Sequence, residues 1–144
     1  MPPAFSDNGL LPAGIHSTTW DEFEQRFVYF DRSDRRFRLF ETFRELYRQA
    51  KVSGIVQRIY VGGSFVTSKA EPNDIDCIVV LDPSIEGHEL RPTEYNLVSL
   101  KLARRVFGGD VIPVFEGDPV LGEYIGFFQK TRGGEPMGIV EIEL

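Results

Sequence analysis

Cysteine and histidine are both scarce in this sequence. The single cysteine, Cys77, excludes a disulfide within the chain, and its place in an apolar run predicts a buried, unreactive thiol. His16 is one of only two histidines and has no neighbour at metal-ligand spacing, so we interpret it as a loop or packing residue. We therefore predict that Cys77 and His16 have structural roles and neither react nor bind a metal ion.

Positive charge is in short supply as well. The chain has 16 lysines and arginines against 22 aspartates and glutamates, which gives a formal net charge of −6 and an isoelectric point near 4.9. Sequence-independent binding to duplex nucleic acid usually needs a basic face, so we do not expect that function. A local basic cluster could still serve RNA, which we treat as a less favoured partner.

The sequence contains neither a signal peptide nor a long apolar run. We therefore expect no membrane association and a cytoplasmic location. The 144 residues, of which 42% are hydrophobic, fit one globular domain over 1–144 with a real core. Several prolines and glycines near the N-terminus predict an extended leader over residues 1–18.

The most informative stretch covers residues 59–82. Its first apolar run ends in Gly62, Gly63 and Ser64, and a polar segment separates it from a second apolar run. The two glycines lack a Cβ, so the backbone can turn sharply and a ligand can approach it. Ser64 suits the first residue of a short helix over 65–68, whose unpaired amides would bind an anion such as phosphate.

Two aspartates, Asp74 and Asp76, open the second apolar run. If this run is a strand, both side chains project from the same face, roughly 7 Å apart along the chain. Such carboxylates repel each other unless a cation lies between them, and hard oxygen ligands suit a hydrated Mg²⁺ that also takes phosphate oxygens. The alternative is an ordinary tight turn followed by an exposed edge strand.

The pair Gly63-Ser64, followed after nine residues by Asp74-Ile75-Asp76, resembles the signature of the DNA polymerase β-like nucleotidyltransferase superfamily. It is most similar to the small minimal nucleotidyltransferases, and both ends of the chain resemble a poorly characterised branch of the superfamily. The resemblance implies an α+β fold like the polymerase β palm, with a mixed β-sheet and flanking helices.

The resemblance also implies two sets of site residues. The triphosphate would lie on the glycine turn and on basic side chains, namely Gly62, Gly63, Ser64, Lys69, Lys101 and Arg104. Two Mg²⁺ ions would be held by Asp74, Asp76 and a third carboxylate from a later strand. We choose Asp110 for this third position, with Glu116 as the alternative.

The implied activity is transfer of a nucleoside monophosphate from ATP or another triphosphate to a hydroxyl on a protein or RNA. Minimal nucleotidyltransferases often act with a helical partner of the HEPN type, as toxin–antitoxin pairs in which a partner tyrosine is adenylylated. The resemblance thus implies the antitoxin-like half of such a pair. The alternative is a catalytically silent module of the same fold that binds nucleotide or protein.

Two amphipathic helices are predicted before the glycine turn. Thr19 and Glu22 have the spacing of a capping box, and aromatic residues then recur at three- and four-residue steps, which is typical of a core-facing stripe. The second helix would be capped by Asp31 or Ser33 and end near Gly54.

One face of this second helix is rich in arginine, with Arg32, Arg35, Arg36, Arg38, Arg44 and Arg48. We interpret it as a solvated, salt-bridged face, and the alternative is contact with phosphate or RNA.

Four further elements are predicted after the aspartate-bearing strand. They are a helix from Pro92 to Gly108, a strand over 110–116, a helix over 121–132 and a half-exposed strand over 138–144. Pro113 predicts an edge position or a bulge for the first of these strands. Lys101 and Arg104 on the first helix would meet either the tail of a nucleotide or water.

Overall fold

The computed structural model describes residues 1–29, 34–85, 90–107 and 109–144. The predicted caps Asp31 and Ser33, and Arg32 of the predicted arginine face, lie outside these ranges, as do His88 and Gly108.

Strands and helices alternate along most of the described chain. The strands are β1 (Gly14–Thr18), β2 (Val56–Gly62), β3 (Asp76–Leu81), β4 (Val111–Phe115) and β5 (Gly138–Glu143). The α-helices are α1 (Trp20–Phe27), α2 (Asp34–Ser53), α3 (Pro92–Val98), α4 (Leu100–Phe107) and α5 (Val120–Phe128), and short 3-10 helices cover Ser64–Val66 and Pro83–Ile85.

The strands form one mixed sheet in the order β1-β5-β2-β3-β4. β2 is antiparallel to both of its neighbours, whereas β1 is parallel to β5 and β3 is parallel to β4. As a result β2 ends at the same end of the sheet at which the other four strands begin. We call it the Gly62 end, because Gly62 pairs there with Asp76.

Alternation of side chains along the strands divides the core into two layers. Ile59, Cys77 and Ile142 face the larger layer, which α1 to α4 cover. Tyr60, Ile78 and their neighbours on the same face meet α5 in a smaller layer. The molecule is therefore an α+β protein whose mixed five-stranded sheet is flanked by helices on both faces.

The predicted aromatic stripe lies in the larger layer. Trp20 of α1 stacks on Tyr47 of α2 with ring centroids 4.1 Å apart, and it also stacks on Phe40. The predicted capping box is confirmed, since Thr19 accepts from the Glu22 amide and Glu22 accepts from the Thr19 amide. The ring contacts pack α1 against α2, and the capping box fixes the start of α1.

Several boundaries differ from the sequence prediction. The predicted helix from Pro92 breaks at Ser99 into α3 and α4, and the predicted helix over 121–132 ends at Phe128. The predicted helix over 65–68 is a single 3-10 turn that begins at Ser64. The prediction that the last strand is half-exposed was wrong, because β5 lies between β1 and β2 and four of its six residues are buried.

Other predictions agree with the structure. β4 is an edge strand, as Pro113 indicated. Cys77 is buried, which raises the pKa of its thiol.

Part of the predicted extended leader is strand β1, whose pairing with β5 the sequence did not indicate. His16 lies on this strand, and its Nε2 is 2.6 Å from the Pro12 carbonyl oxygen.

Within residues 1–29, 34–85, 90–107 and 109–144, no helix is both long enough and apolar enough to cross a membrane.

Candidate functional site

The glycine turn sits at the end of β2. Gly63 has φ +74°, a left-handed conformation that glycine adopts without strain. A Cβ atom at Gly63 would lie 3.1 Å from Oδ2 of Asp76, so the turn and this carboxylate are in direct contact. A Cβ at Gly62 would lie 2.7 Å from the Phe128 ring of α5. Both glycines therefore allow close packing at the Gly62 end.

The aspartates converge on the same place because β3 and β4 are parallel and begin side by side. Asp76 is the first residue of β3, and Asp110 directly precedes β4. The Asp110 amide donates to Oδ1 of Asp76 at 3.1 Å. Asp74 lies two residues before β3, so the prediction that both aspartates are on the strand holds only for Asp76.

A second glycine brings Asp74 close to the start of β4. Gly109 has φ +61°, and a Cβ there would lie 2.4 Å from the Ile75 carbonyl oxygen and 3.4 Å from Cβ of Asp74. The backbone before β4 thus packs directly against the backbone before β3. This contact holds Asp74, Asp76 and Asp110 at one corner of the sheet.

Burial is the main reason that the pKa of Asp76 is raised above its ordinary value. The Asp110 amide opposes this shift, whereas the negative charges of Asp74 and Asp110 add to it, and Arg104 opposes it weakly. Asp76 is therefore a partly buried carboxylate next to two others. A cation at this corner would relieve both the burial and the repulsion.

The basic residues predicted to bind nucleotide differ in their relation to the carboxylates. Nη1 of Arg104 lies 3.7 Å from Oδ1 of Asp110, so the structure brings this pair together at an exposed position. Lys69 and Lys101 are exposed, the first between the glycine turn and Asp74 and the second on α4. Within the described ranges neither lysine forms an ion pair.

Glu116 is at the other end of β4 from Asp110. Six residues of extended chain separate the two carboxylates by roughly 20 Å. Oε2 of Glu116 lies 2.6 Å from Nη2 of Arg58, which also approaches Glu141 on β5. The structure thus brings Asp110, and not Glu116, to Asp76.

Arg36 was missed as a site residue, and its interpretation as part of a solvated face was wrong. Its side chain has 0% exposure. The guanidinium donates to backbone carbonyls of Ser64, Phe65, Thr67 and Lys69, which belong to the segment after Gly63. Arg36 lies four and seven residues before Phe40 and Phe43, so helical periodicity places it on the apolar face of α2, and this signal could have separated it from the other arginines.

Among the other described arginines of this face, Arg35 is half-buried, with Nη1 3.5 Å from Oδ1 of Asn73, and the rest are exposed as predicted. Arg38 is exposed. The exposed Arg44 pairs with the half-buried Glu24 and with Glu41, and the exposed Arg48 pairs with Glu45.

An apolar cleft of about 100 Å³ opens beside Asp74, between α2, β3 and α4. Phe43, Cys77 and Phe107 contribute to its lining. Such a lining suits an apolar or aromatic group rather than a phosphate.

The carboxylates at this corner are candidate ligands for Mg²⁺. Among the residues that the structure describes, no three His, Cys, Asp or Glu side chains form a group that could hold a metal ion. Mg²⁺ is usually bound through one or two carboxylates, with water and substrate phosphates as its other ligands. Asp74 and Asp76 fit this binding of Mg²⁺ by two carboxylates, and the raised pKa of Asp76 is consistent with a place for a cation beside it.

Comparison with known proteins gives a family and no function. No curated protein and no solved structure matches the chain. Residues 3–143 match a family described as a family of unknown function, DUF6932. Because this match spans nearly the whole sequence, the chain belongs to the DUF6932 family.

Proposed function

We propose that this protein transfers a nucleoside monophosphate from a nucleoside triphosphate to an acceptor hydroxyl, in a Mg²⁺-dependent reaction. The observation that carries the proposal is the contact of Gly63 with Asp76 at the corner that also holds Asp74 and Asp110. An anion-binding turn beside clustered carboxylates is the arrangement that a metal–triphosphate substrate requires. The resemblance to the polymerase β-like nucleotidyltransferases supports the same activity and fold.

The turn would bind the β- and γ-phosphates through backbone groups of Gly63 and Ser64. Gly63 and Ser64 are half-buried, and the positive φ of Gly63 turns the main chain sharply beside Asp76, where a phosphate could approach it. The exposed ammonium of Lys69 is within the same segment and would contact the triphosphate as a point charge. ATP is the triphosphate that we favour.

Asp74 and Asp76 would hold the Mg²⁺, which supplies Lewis-acid stabilisation of charge on the phosphates. The Asp110 amide keeps one oxygen of Asp76 fixed and leaves its other oxygen beside the turn. We assign the Asp110 carboxylate to accept the proton of the acceptor hydroxyl. The hydroxyl oxygen then bonds to the α-phosphorus, and the bond from that phosphorus to pyrophosphate breaks.

We favour a protein hydroxyl as the acceptor, for example a tyrosine of a helical partner of the HEPN type. The acidic net charge weakens the case for RNA. Burial of Arg36 weakens it further, because that residue was part of the predicted arginine docking face.

The test uses α-phosphate-labelled triphosphates and Mg²⁺ with the purified protein in an extract of its source cells. We expect a labelled protein band with the wild type and none with Asp74→Asn or Asp76→Asn. Asp82→Asn is the matched control, since Asp82 follows the opposite end of β3 and its asparagine can still accept from the Ser84 amide. Equal labelling by Asp76→Asn and the wild type would refute the proposal.

A second candidate is a silent module that binds nucleotide without transfer. It is favoured by the absence of a three-ligand metal group among the described residues and by the use of one Asp76 oxygen in a backbone hydrogen bond. Its signature is ATP binding by the wild type with no labelled product in any extract.

A further inference from the structure

We propose that Arg36 is a positioning residue, which fixes the segment from Ser64 to Lys69 so that its phosphate-facing groups meet the aspartate corner. This inference rests on the proposed function and adds to it a residue outside the sequence signature. Arg36 would act through the backbone of this segment and would not touch the substrate.

The contacts of Arg36 cover the whole segment. Nη1 donates to the Phe65 carbonyl oxygen at 2.7 Å, and it also donates to the Phe27 carbonyl oxygen at the end of α1 at 2.7 Å. Nη2 donates to the carbonyl oxygens of Thr67 at 2.8 Å and Ser64 at 3.5 Å. The carbonyl of Lys69 accepts from Nε and Nη2. One side chain thus joins α1 and α2 to both ends of the segment.

These bonds set the direction of the peptide groups. The carbonyl of one residue and the amide of the next share a planar unit and point in opposite directions. The Ser64 carbonyl accepts from the Thr67 hydroxyl and amide and, at 3.5 Å, from Arg36, so the Phe65 amide points away from the guanidinium. Likewise, two bonds to the Lys69 carbonyl fix the point from which the exposed Lys69 side chain extends.

The chemistry of the site calls for arginine rather than lysine. A guanidinium has five N–H donors in a fixed plane, whereas an ammonium has three donors around one point. Only the planar group can reach carbonyls on several sides of a fully buried position. The Phe65 ring, 4.9 Å from the guanidinium carbon, adds a cation–π contact on one face.

A second contact restrains the same segment from outside. The Ser68 amide donates to the Gly9 carbonyl oxygen at 2.8 Å, and Gly9 leaves no room for a side chain beside Ser68. The segment is therefore held between the N-terminal residues and α2. It has the fixed geometry that binding of a triphosphate beside Asp76 would need.

The test compares Arg36→Lys with Arg38→Lys, which changes an exposed arginine of the same helix. The dissociation constants for Mg²⁺-ATP and for AMP are measured by calorimetry at a temperature where both variants are folded. We expect Arg36→Lys to weaken ATP binding about tenfold or more and AMP binding much less, because the segment would contact the β- and γ-phosphates. Arg38→Lys should bind both as the wild type does.

Amide hydrogen exchange without nucleotide gives a second readout. We expect faster exchange at residues 64–70 in Arg36→Lys and unchanged exchange in the interior of β2 and β3, which excludes a general loss of stability. Wild-type ATP affinity together with wild-type exchange at 64–70 would overturn the inference. If the wild type binds no ATP, the proposed function fails, and the exchange data alone decide whether Arg36 fixes the segment.

Discussion

Asp76 bears most of the electrostatic cost of the candidate site. Its carboxylate is partly buried and lies near the charges of Asp74 and Asp110, and both effects disfavour its ionised form. Only the Asp110 amide compensates strongly, and an asparagine side chain can accept that hydrogen bond equally well. Function and stability therefore make opposite demands on this residue.

We predict that Asp76→Asn raises the free energy of unfolding at pH 7 in the absence of Mg²⁺. Water still screens this partly exposed group, so we expect a gain of no more than about 1 kcal/mol. The sign follows from the raised pKa, because the folded state disfavours the charge and the wild type loses stability as pH rises through that pKa. Urea denaturation at several pH values measures it.

The difference between the two proteins should vanish below the ordinary pKa of 3.8, where Asp76 is protonated in both folded and unfolded chains. Saturating Mg²⁺ should stabilise the wild type more than the variant, since a ligand that binds only the folded state stabilises it. A variant less stable than the wild type in the absence of metal would contradict the repulsion argument.

Gly63 offers a matched test of the contact between the turn and Asp76. Gly63→Ala adds a methyl group 3.1 Å from the Asp76 carboxylate at a positive φ, whereas Gly117→Ala adds one at φ +87° into open space. The positive φ costs the alanine at Gly117 about 1 kcal/mol. At Gly63 ψ is −167°, a backbone region that essentially only glycine occupies, so its backbone cost is larger and adds to that of the contact. We expect Gly63→Ala to lose more stability than Gly117→Ala in urea denaturation, and it alone should weaken ATP binding.

The sequence indicates the aspartates and glycines because their spacing along the chain is informative. Arg36 could not be identified in that way, since its acceptors are carbonyl groups, which every residue has. Its burial depends on α2 packing over the segment that begins at Ser64, 28 residues later. Helical periodicity places Arg36 on the same face of α2 as Phe40 and Phe43, which indicates burial, but only the tertiary structure shows which carbonyls it binds.

At the scale of elements, α1 has the most complete local signal. Its capping box and its buried residues Phe23 and Phe27 were both readable from residue spacing. We predict that Thr19→Ala lowers the free energy of unfolding by about 1 kcal/mol, because the Glu22 amide loses its acceptor. Urea denaturation measures the loss.

Thr19→Ser is the control for this prediction, since serine keeps the accepting hydroxyl. It should remain within a few tenths of a kcal/mol of the wild type. If both substitutions cost the same, the loss would come from the threonine methyl group and not from the cap.

Element ends were less predictable than element interiors. Glycine residues at 108 and 109 marked the end of the helical pattern, but nothing marked the break at Ser99, where the local pattern is compatible with a continuous helix. β1 was overlooked because its five residues carry no strong strand pattern and become a strand only by pairing with β5. A strand of this kind is defined by its partner, 124 residues away.

At the scale of the whole molecule, one sheet separates a large core from a small one. The sequence indicated an α+β protein, but it could not indicate that its last strand lies in the interior of the sheet. β5 bonds to β1 on one side and to β2 on the other, so strands from the start, middle and end of the chain meet there. The alternating apolar and acidic residues of β5 suggested exposure, whereas α5 and the helices of the large layer cover both of its faces.

Two isoleucines of β5 test whether the layers differ in stability. Ile139 lies in the small layer under α5 and Ile142 in the large layer, and both have 0% exposure. Either substitution by alanine should cost about 2 to 5 kcal/mol of local packing. Among the described residues α5 is the helix that covers this face, so we expect it to open while the rest of the fold remains intact, and Ile139→Ala should lower chiefly the free energy of that opening.

Native-state hydrogen exchange in low urea separates the two effects. In the wild type we expect the α5 amides to exchange through an opening with a lower free energy than the opening that exposes the β2 and β3 amides. Ile139→Ala should increase this difference in free energy. Ile142→Ala should lower the protection of β2, β3 and α2 together, because its layer holds most of the core. Since Phe128 of α5 packs on Gly62, opening of this helix would also uncover the candidate site. Equal loss of protection throughout the protein in both variants would instead show a single cooperative unit, with no independent motion of α5.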